Sequence, residues 1–126
     1  MIAADSSSLI AYFSGSAGAD VIAVDWALEQ KILVLPPPVL TEVLSDRSPI
    51  PLFLETLKKI PVLAVDSSYW ERSGNLRASL IRKGFRPSLS DTWIAQSCLD
   101  YQISLITRDR DFESFRQVAS LKLFQH

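Results

Sequence analysis

Four acidic residues stand where this chain is expected to change direction: Asp5, Glu42, Asp91 and Asp109. Each follows a short apolar run or opens a predicted helix. Two unit charges 4 Å apart at an effective dielectric of 20 repel by about 4 kcal/mol. Carboxylates brought together must therefore take up protons or bind cations. Oxygen donors without Cys or His suit Mg²⁺, with Mn²⁺ as a substitute. The only histidine is His126, so a His-rich zinc site is excluded. The chemistry this points to is metal-dependent hydrolysis.

Taken singly, each acid also has a plainer reading. Asp5 reads as a helix N-cap, although Ser6, Ser7 and Ser8 offer the same service. Glu42 reads as a solvated helix residue at the margin of Val39, Leu40 and Val43. Asp91 reads as a first-turn acid favoured by the helix dipole. It also heads an apolar stripe of Ile94, Ala95, Cys98 and Leu99, where a carboxylate is costly unless paired or bound to metal. Asp109 reads as part of a charged turn, Thr107-Arg108-Asp109-Arg110-Asp111, with Asp111 as a cap before Phe112. Joint placement, rather than any one residue, makes the site.

That placement needs a scaffold. The pattern alternates strand and helix. Expected strands lie at 2–4, 32–35, 62–65, 103–107 and 121–124. Expected helices lie at 6–13, 20–30, 38–44, 51–59, 68–83, 90–99 and 112–118. Leu9, Ile10 and Phe13 form one inward stripe, Val21, Val24 and Leu28 another, and Leu54 and Leu57 a third. Ser68 and Glu71 have capping-box spacing, Gly84 should stop that helix, and Ser90 should cap the next. The prolines at 36, 37 and 38 suit a strand-to-helix joint. Strands separated by helices imply a parallel sheet with helices on both faces, and ligands then bind beyond the carboxyl ends of the strands at the switch point. Asp5 and Asp109 fall there directly.

The 126 residues suit one domain, 1–126, with one core, and 48% hydrophobic content suits a globular protein. A net charge of -1 excludes a polybasic tail but leaves room for a local cationic patch. The lone Cys98 excludes an internal disulfide. Neither a signal peptide nor a membrane-length apolar run is evident, so a cytoplasmic protein is expected.

The segments Asp5-Ser6-Ser7 with Leu9-Ile10, Thr41-Glu42, Ser90-Asp91-Thr92-Trp93-Ile94-Ala95 and Thr107-Arg108-Asp109-Arg110-Asp111-Phe112 together resemble the PIN domain, in particular the VapC-like toxins of toxin–antitoxin pairs. Ser6 stands where Thr is more usual, and Trp93 is bulkier than the usual residue. The resemblance implies a three-layer α/β/α fold with a central, mostly parallel sheet of four to five strands. It implies a Mg²⁺-dependent endoribonuclease with Asp5, Glu42, Asp91 and Asp109 as its catalytic acids. Asp5 and Asp91 would be the main direct metal ligands. Ser7 and Thr107 would supply supporting hydroxyls. It further implies a cognate antitoxin partner and a homodimer.

An RNA substrate needs cations, because phosphate contacts supply much of the affinity. Arg86, Arg108 and Arg110 flank the acids and are expected on the backbone, while Arg82 and Lys83 read equally as helix-end cations. Trp26, Tyr69, Trp70, Tyr101 and Phe115 read as core or interface rather than base-stacking residues. The apolar stretch from Pro49 to Leu57 is expected at a dimer face or an antitoxin groove. Two other readings compete with the nuclease. A Mg²⁺-dependent phosphatase would need a second Asp two residues after the first, where Ser7 stands. A non-catalytic PIN scaffold would not need all four acids.

Overall fold

The computed structural model of the chain describes residues 1–46 and 51–124. Three short parallel strands form the sheet: β1 (Ile2–Ala4), β2 (Leu33–Val34) and β3 (Leu105–Ile106), in the order β2-β1-β3. Ala3 aligns with Val34 on one side and Leu105 on the other. All seven strand residues are buried, which explains why they read as unbroken apolar runs rather than alternating ones. The chain leaves β1 for β2 on one side and later crosses to β3 on the other. The switch point is therefore at the carboxyl end of β1, directly before Asp5.

Among the described residues, seven helices connect and flank the sheet: α1 (Ser6–Phe13), α2 (Ala19–Glu29), α3 (Pro37–Ser45), α4 (Pro51–Lys58), α5 (Tyr69–Arg82), α6 (Leu89–Tyr101) and α7 (Glu113–Ala119). A 3-10 turn at Arg110–Phe112 precedes α7. Pro37 opens α3 at its first position, where a missing N–H costs nothing. Gly84 ends α5 at φ +93, a conformation that disfavours other side chains. Among the described residues no helix is long and apolar enough to cross a membrane.

Two of the five expected strands are reduced to single bridges. Val62 bridges Leu35, and Leu123 bridges Leu105, both in parallel. They lie outside β2 and β3 respectively, so each has a partner on one side only. Pro61 cannot donate to a ladder, and Val62 is 44% exposed, as an edge residue is. The sheet thus has three strands rather than four or five, with the two missing positions marked at its edges.

Two expected caps are also corrected. Ser88, not Ser90, caps α6: it is extended, and its Oγ accepts from the N–H of Asp91 at 3.0 Å. Ser90 lies inside the first turn. The box at Ser68 does not form. Its Oγ donates to Asp66 at 3.1 Å and accepts from Arg72 at 2.5 Å, because Arg72 forks between Asp66 and Asp100 and draws the hydroxyl in.

The helix stripes are broader than their pattern suggests. In α6, Thr92, Gln96 and Ser97 are buried along with Ile94, Ala95 and Cys98, because α6 packs against both α3 and α5. In α2, Ala23 and Ala27 are buried with Val24, while Val21 and Leu28 sit at the margin. Burial pushes the Cys98 thiol up to about 12, so it stays a neutral core residue. Tyr69 and Phe115 are core, with the Tyr69 hydroxyl donating to the Trp93 carbonyl. Trp26, Trp70 and Tyr101 are exposed, Trp26 being stacked on Phe124. Of the stretch from Pro49 to Leu57, Pro49 and Ile50 lie outside the described residues. Phe53 packs on Phe13 with ring centroids 4.9 Å apart, and Leu57 is buried.

Candidate metal centre

Asp5 emerges from β1 and is 3% exposed. It does cap α1, accepting from the N–H of Ser8 at 3.1 Å, so the plainer reading holds alongside the functional one. The Ser7 hydroxyl lies 2.8 and 2.9 Å from its two oxygens. Thr107, leaving β3, donates its hydroxyl to Oδ2 at 2.5 Å across 102 positions of sequence. Burial nevertheless dominates over these bonds and raises the Asp5 carboxyl above its ordinary value, with the charge of Asp109 adding to the effect.

Thr107 serves both neighbours. Its hydroxyl oxygen also accepts from the N–H of Asp109 at 3.0 Å. Asp109 caps the 3-10 turn by accepting from the N–H of Asp111 at 2.9 Å. The expected cap at Asp111 is therefore corrected: Asp111 belongs to the turn itself. Freed from capping, its carboxylate faces the same space as Asp91 and Asp109. One ligand oxygen from each of Asp91, Asp109 and Asp111 lies within 4.8 Å of the others.

Asp91 reaches this space because Ser88 starts α6 two residues earlier than expected, which puts Asp91 third in the helix. Its carboxyl is pushed up to about 6. Burial is the main cause, followed by the charge of Asp109, with lesser effects from Asp111 and Glu42; Ser88 offsets part of the rise. Glu42, on α3, accepts from the Ser6 hydroxyl at 3.2 Å, and its charge acts on Asp91. Of the four sequence-predicted acids, Asp91 and Asp109 meet in that group with Asp111; Asp5 and Glu42 lie outside it, although the charge of Asp109 acts on Asp5 and that of Glu42 on Asp91.

Sequence reasoning reads Asp111 as a cap rather than a member of the acid group, although its position two residues after Asp109 is a usable signal. It passes over Ser6 as the partner of Glu42, and Asp20, which carries no local mark beyond being a first-turn acid. The predicted cations divide. Arg86 and Arg110 line a cleft of about 370 Å³ with Asp91, Asp111 and Ser88. Arg108 instead engages Asp20, through Nε at 2.7 Å and Nη2 at 2.9 Å.

The donor set fits a hard divalent cation. It is all oxygen and negatively charged, and burial, followed by the charge of Asp109, raises the proton affinity of Asp91. A parallel α/β scaffold that gathers carboxylates at its switch point defines the class. The chain belongs to the PIN domain family, whose pattern it matches over residues 2–119. PIN domains are generally nucleases and typically bind divalent metals. No curated protein matches. Among solved structures, the chain is similar to VapBC2 from Rickettsia felis bound to a DNA fragment from their promoter. That match has a TM-score of 0.77 and 16% identity, covering 98% of both chains. It is also similar to FitAB bound to an IR36 DNA fragment, with a TM-score of 0.72, 18% identity, and coverage of 98% of this chain and 94% of that one. At these identities the likeness speaks for the fold.

Proposed function

We propose that this protein is a Mg²⁺-dependent endoribonuclease, the toxin of a VapBC-type toxin–antitoxin pair, acting as one domain over 1–126. The observation that carries the reading is the meeting of Asp91, Asp109 and Asp111 within 4.8 Å, tied through the Thr107 hydroxyl to the buried Asp5, with the Asp91 carboxyl raised to about 6. Asp5, Asp91 and Asp109 would hold the cation, with Glu42 and Asp111 completing the set; Mn²⁺ would substitute. When bound, such an ion polarises a phosphoryl oxygen and lowers the pKa of water for in-line attack.

The chain's own residues do the rest. Ser7 and Thr107 fix both oxygens of Asp5, so its orientation is set before any ligand arrives. Ser6 holds Glu42 toward the acids. Arg86 and Arg110, which line the same cleft as Asp91 and Asp111, would take backbone phosphates there and offset the repulsion between the acids and RNA. Antitoxin binding is part of the proposal, supported by the likeness to VapBC2 and FitAB, and homodimerisation is proposed with it. Residence in the cytoplasm goes with them.

The test is incubation of single-stranded RNA with the purified chain in Mg²⁺, in EDTA, and with Asp5→Asn. The expected result is cleavage in Mg²⁺ alone, lost on chelation and in the variant. Cleavage that survives either change would reject the assignment.

A further inference from the structure

Arg108 lies between two residues of the site, Thr107 and Asp109, yet its guanidinium is directed elsewhere. It binds Asp20 with two nearly parallel bonds, Nε to Oδ2 at 2.7 Å and Nη2 to Oδ1 at 2.9 Å. Nη2 also donates to the Ala17 carbonyl at 3.2 Å. Asp20 is only 5% exposed and accepts in addition from the Ser8 hydroxyl at 2.8 Å. The N–H of that same Ser8 binds Asp5.

These bonds close a ring. Asp5 accepts from the Ser8 N–H, the Ser8 hydroxyl donates to Asp20, Asp20 binds Arg108, and the residue before Arg108, Thr107, donates back to Asp5. The ring joins the exit of β1, the first turn of α2 and the exit of β3. The loop before α2 is shaped around it. A Cβ on Gly18 would fall 2.5 Å from Asp20 Oδ1 and 2.9 Å from Arg108 Nη2, and Gly18 sits at φ +150. The pair therefore requires a glycine at that point.

Stability alone explains this poorly. A sheltered ion pair recovers little more than its desolvation cost, and apolar replacements are often as stable. What a planar, two-pronged pair supplies is direction. Here the direction is that of the backbone on which Thr107 and Asp109 are mounted.

We propose that the Arg108–Asp20 pair, seated by Ser8 and Gly18, is a positioning device that holds Thr107 and Asp109 where the acids share one cation, and that Arg108 does not bind RNA. This rests on the cation-dependent nuclease reading. Arg108 and Asp20 are positioning residues, since neither belongs to the acid cluster itself.

The test uses the full chain with Arg108→Lys, which keeps the charge and removes the fork, and Asp20→Asn, which keeps the shape and removes the charge. Mn²⁺ affinity is measured by calorimetry, and kcat and KM by RNA cleavage. Both variants should bind Mn²⁺ about 10-fold more weakly and lose about 10-fold or more in kcat, as disrupted supports of metal ligands do. KM for RNA and the salt dependence of RNA binding should stay at wild-type values. Should Asp20→Asn fail to fold, Arg108→Lys carries the test alone, because its side chain is 39% exposed. Three results would overturn the proposal. One is wild-type Mn²⁺ affinity with raised KM and a salt slope reduced by about one, the mark of a phosphate contact. Another is a lower melting temperature with unaltered Mn²⁺ affinity and kcat, the mark of a clamp without a role at the site. The last is wild-type behaviour throughout. Wild-type protein that neither binds Mn²⁺ nor cuts RNA would remove the nuclease reading and this inference together.

Discussion

Replacing Asp91 by Asn should stabilise the cation-free protein while abolishing its response to Mg²⁺. The Asp91 carboxyl stands at about 6 against an ordinary 3.8, so at neutral pH the fold holds a charge it would rather neutralise. At about 1.4 kcal/mol per pH unit, full shelter would make that worth about 3 kcal/mol against the folded state. Asp91 is only partly buried, and screening by water reduces the figure to about 1–2 kcal/mol. The amide gives up the attraction of a first-turn anion to the dipole of α6, about 0.5 kcal/mol. The net gain is about 1 kcal/mol, or about 4 °C in Tm for a chain of this size. Mg²⁺ at about ten times its Kd should then raise the wild type by about 1.4 kcal/mol and leave the variant unmoved. Scanning calorimetry in EDTA and in Mg²⁺ reads both effects, and the order of the two Tm values should close or invert between the buffers. A variant less stable than wild type in EDTA would refute the electrostatic argument. A variant still stabilised by Mg²⁺ would remove Asp91 from the site.

Acidification should act in two opposite stages. The Asp91 carboxyl is raised to about 6, so the stability it withholds is regained as pH falls through that value, and the cation-free Tm should rise between pH 7 and about 5; Asp5, raised by its burial, acts in the same direction. Asp20, despite the cost of burial, is held below its ordinary value by Arg108 and Ser8, so its contribution is lost only at lower pH, and Tm should fall below about 4. A Tm that declines steadily from pH 7 would contradict the raised carboxyls, and one that holds below about pH 4 would contradict Asp20. Over the same range Mn²⁺ affinity should weaken below about pH 6, because the ion competes with a proton on Asp91; a pH-independent affinity would count against that. Arg86→Glu and Arg110→Glu should each weaken RNA binding at low salt and flatten its salt dependence, with Mn²⁺ affinity retained; unchanged RNA binding in filter assays would exclude them. Leu105→Ala, on β3 beside Ala3 of β1 and at 0% exposure, should cost about 2–5 kcal/mol in urea unfolding, and a loss under 1 kcal/mol would argue against the β3 register.

Much of this architecture was legible in the residues because the strongest local signals coincide with real elements. Ile2–Ala4 and Ser6–Phe13 fall where apolar run and serine cluster put them, and Gly84 stops α5 at the expected place. What failed depends on neighbours that a local pattern does not contain. The run at 62–65 looks like a strand, yet its one-sided partnership leaves a single bridge. Ser68 has cap spacing, but Arg72, drawn to Asp66 and Asp100, takes its hydroxyl. Ser88 and Ser90 both suit an N-cap, and the extended backbone of Ser88 decides between them. For the proposed site, Asp5, Glu42, Asp91 and Asp109 carry a signal in their positions after predicted strands and helices. Asp111 reads instead as a cap, and only the structure shows Asp109 making the cap that frees it. Arg108 reads as a phosphate ligand in the sequence because Asp20, which it engages, lies 88 positions away.

The claim under everything else is that β1, α6 and the turn after β3 converge on one divalent-cation site. Mn²⁺ titration followed by electron paramagnetic resonance counts bound ions directly, without substrate or antitoxin. The account predicts saturable uptake by the wild-type chain, displaced by Mg²⁺ and lost in Asp91→Asn and Asp109→Asn. A wild-type chain that leaves all the Mn²⁺ free, or variants that bind it as well as wild type, would contradict it.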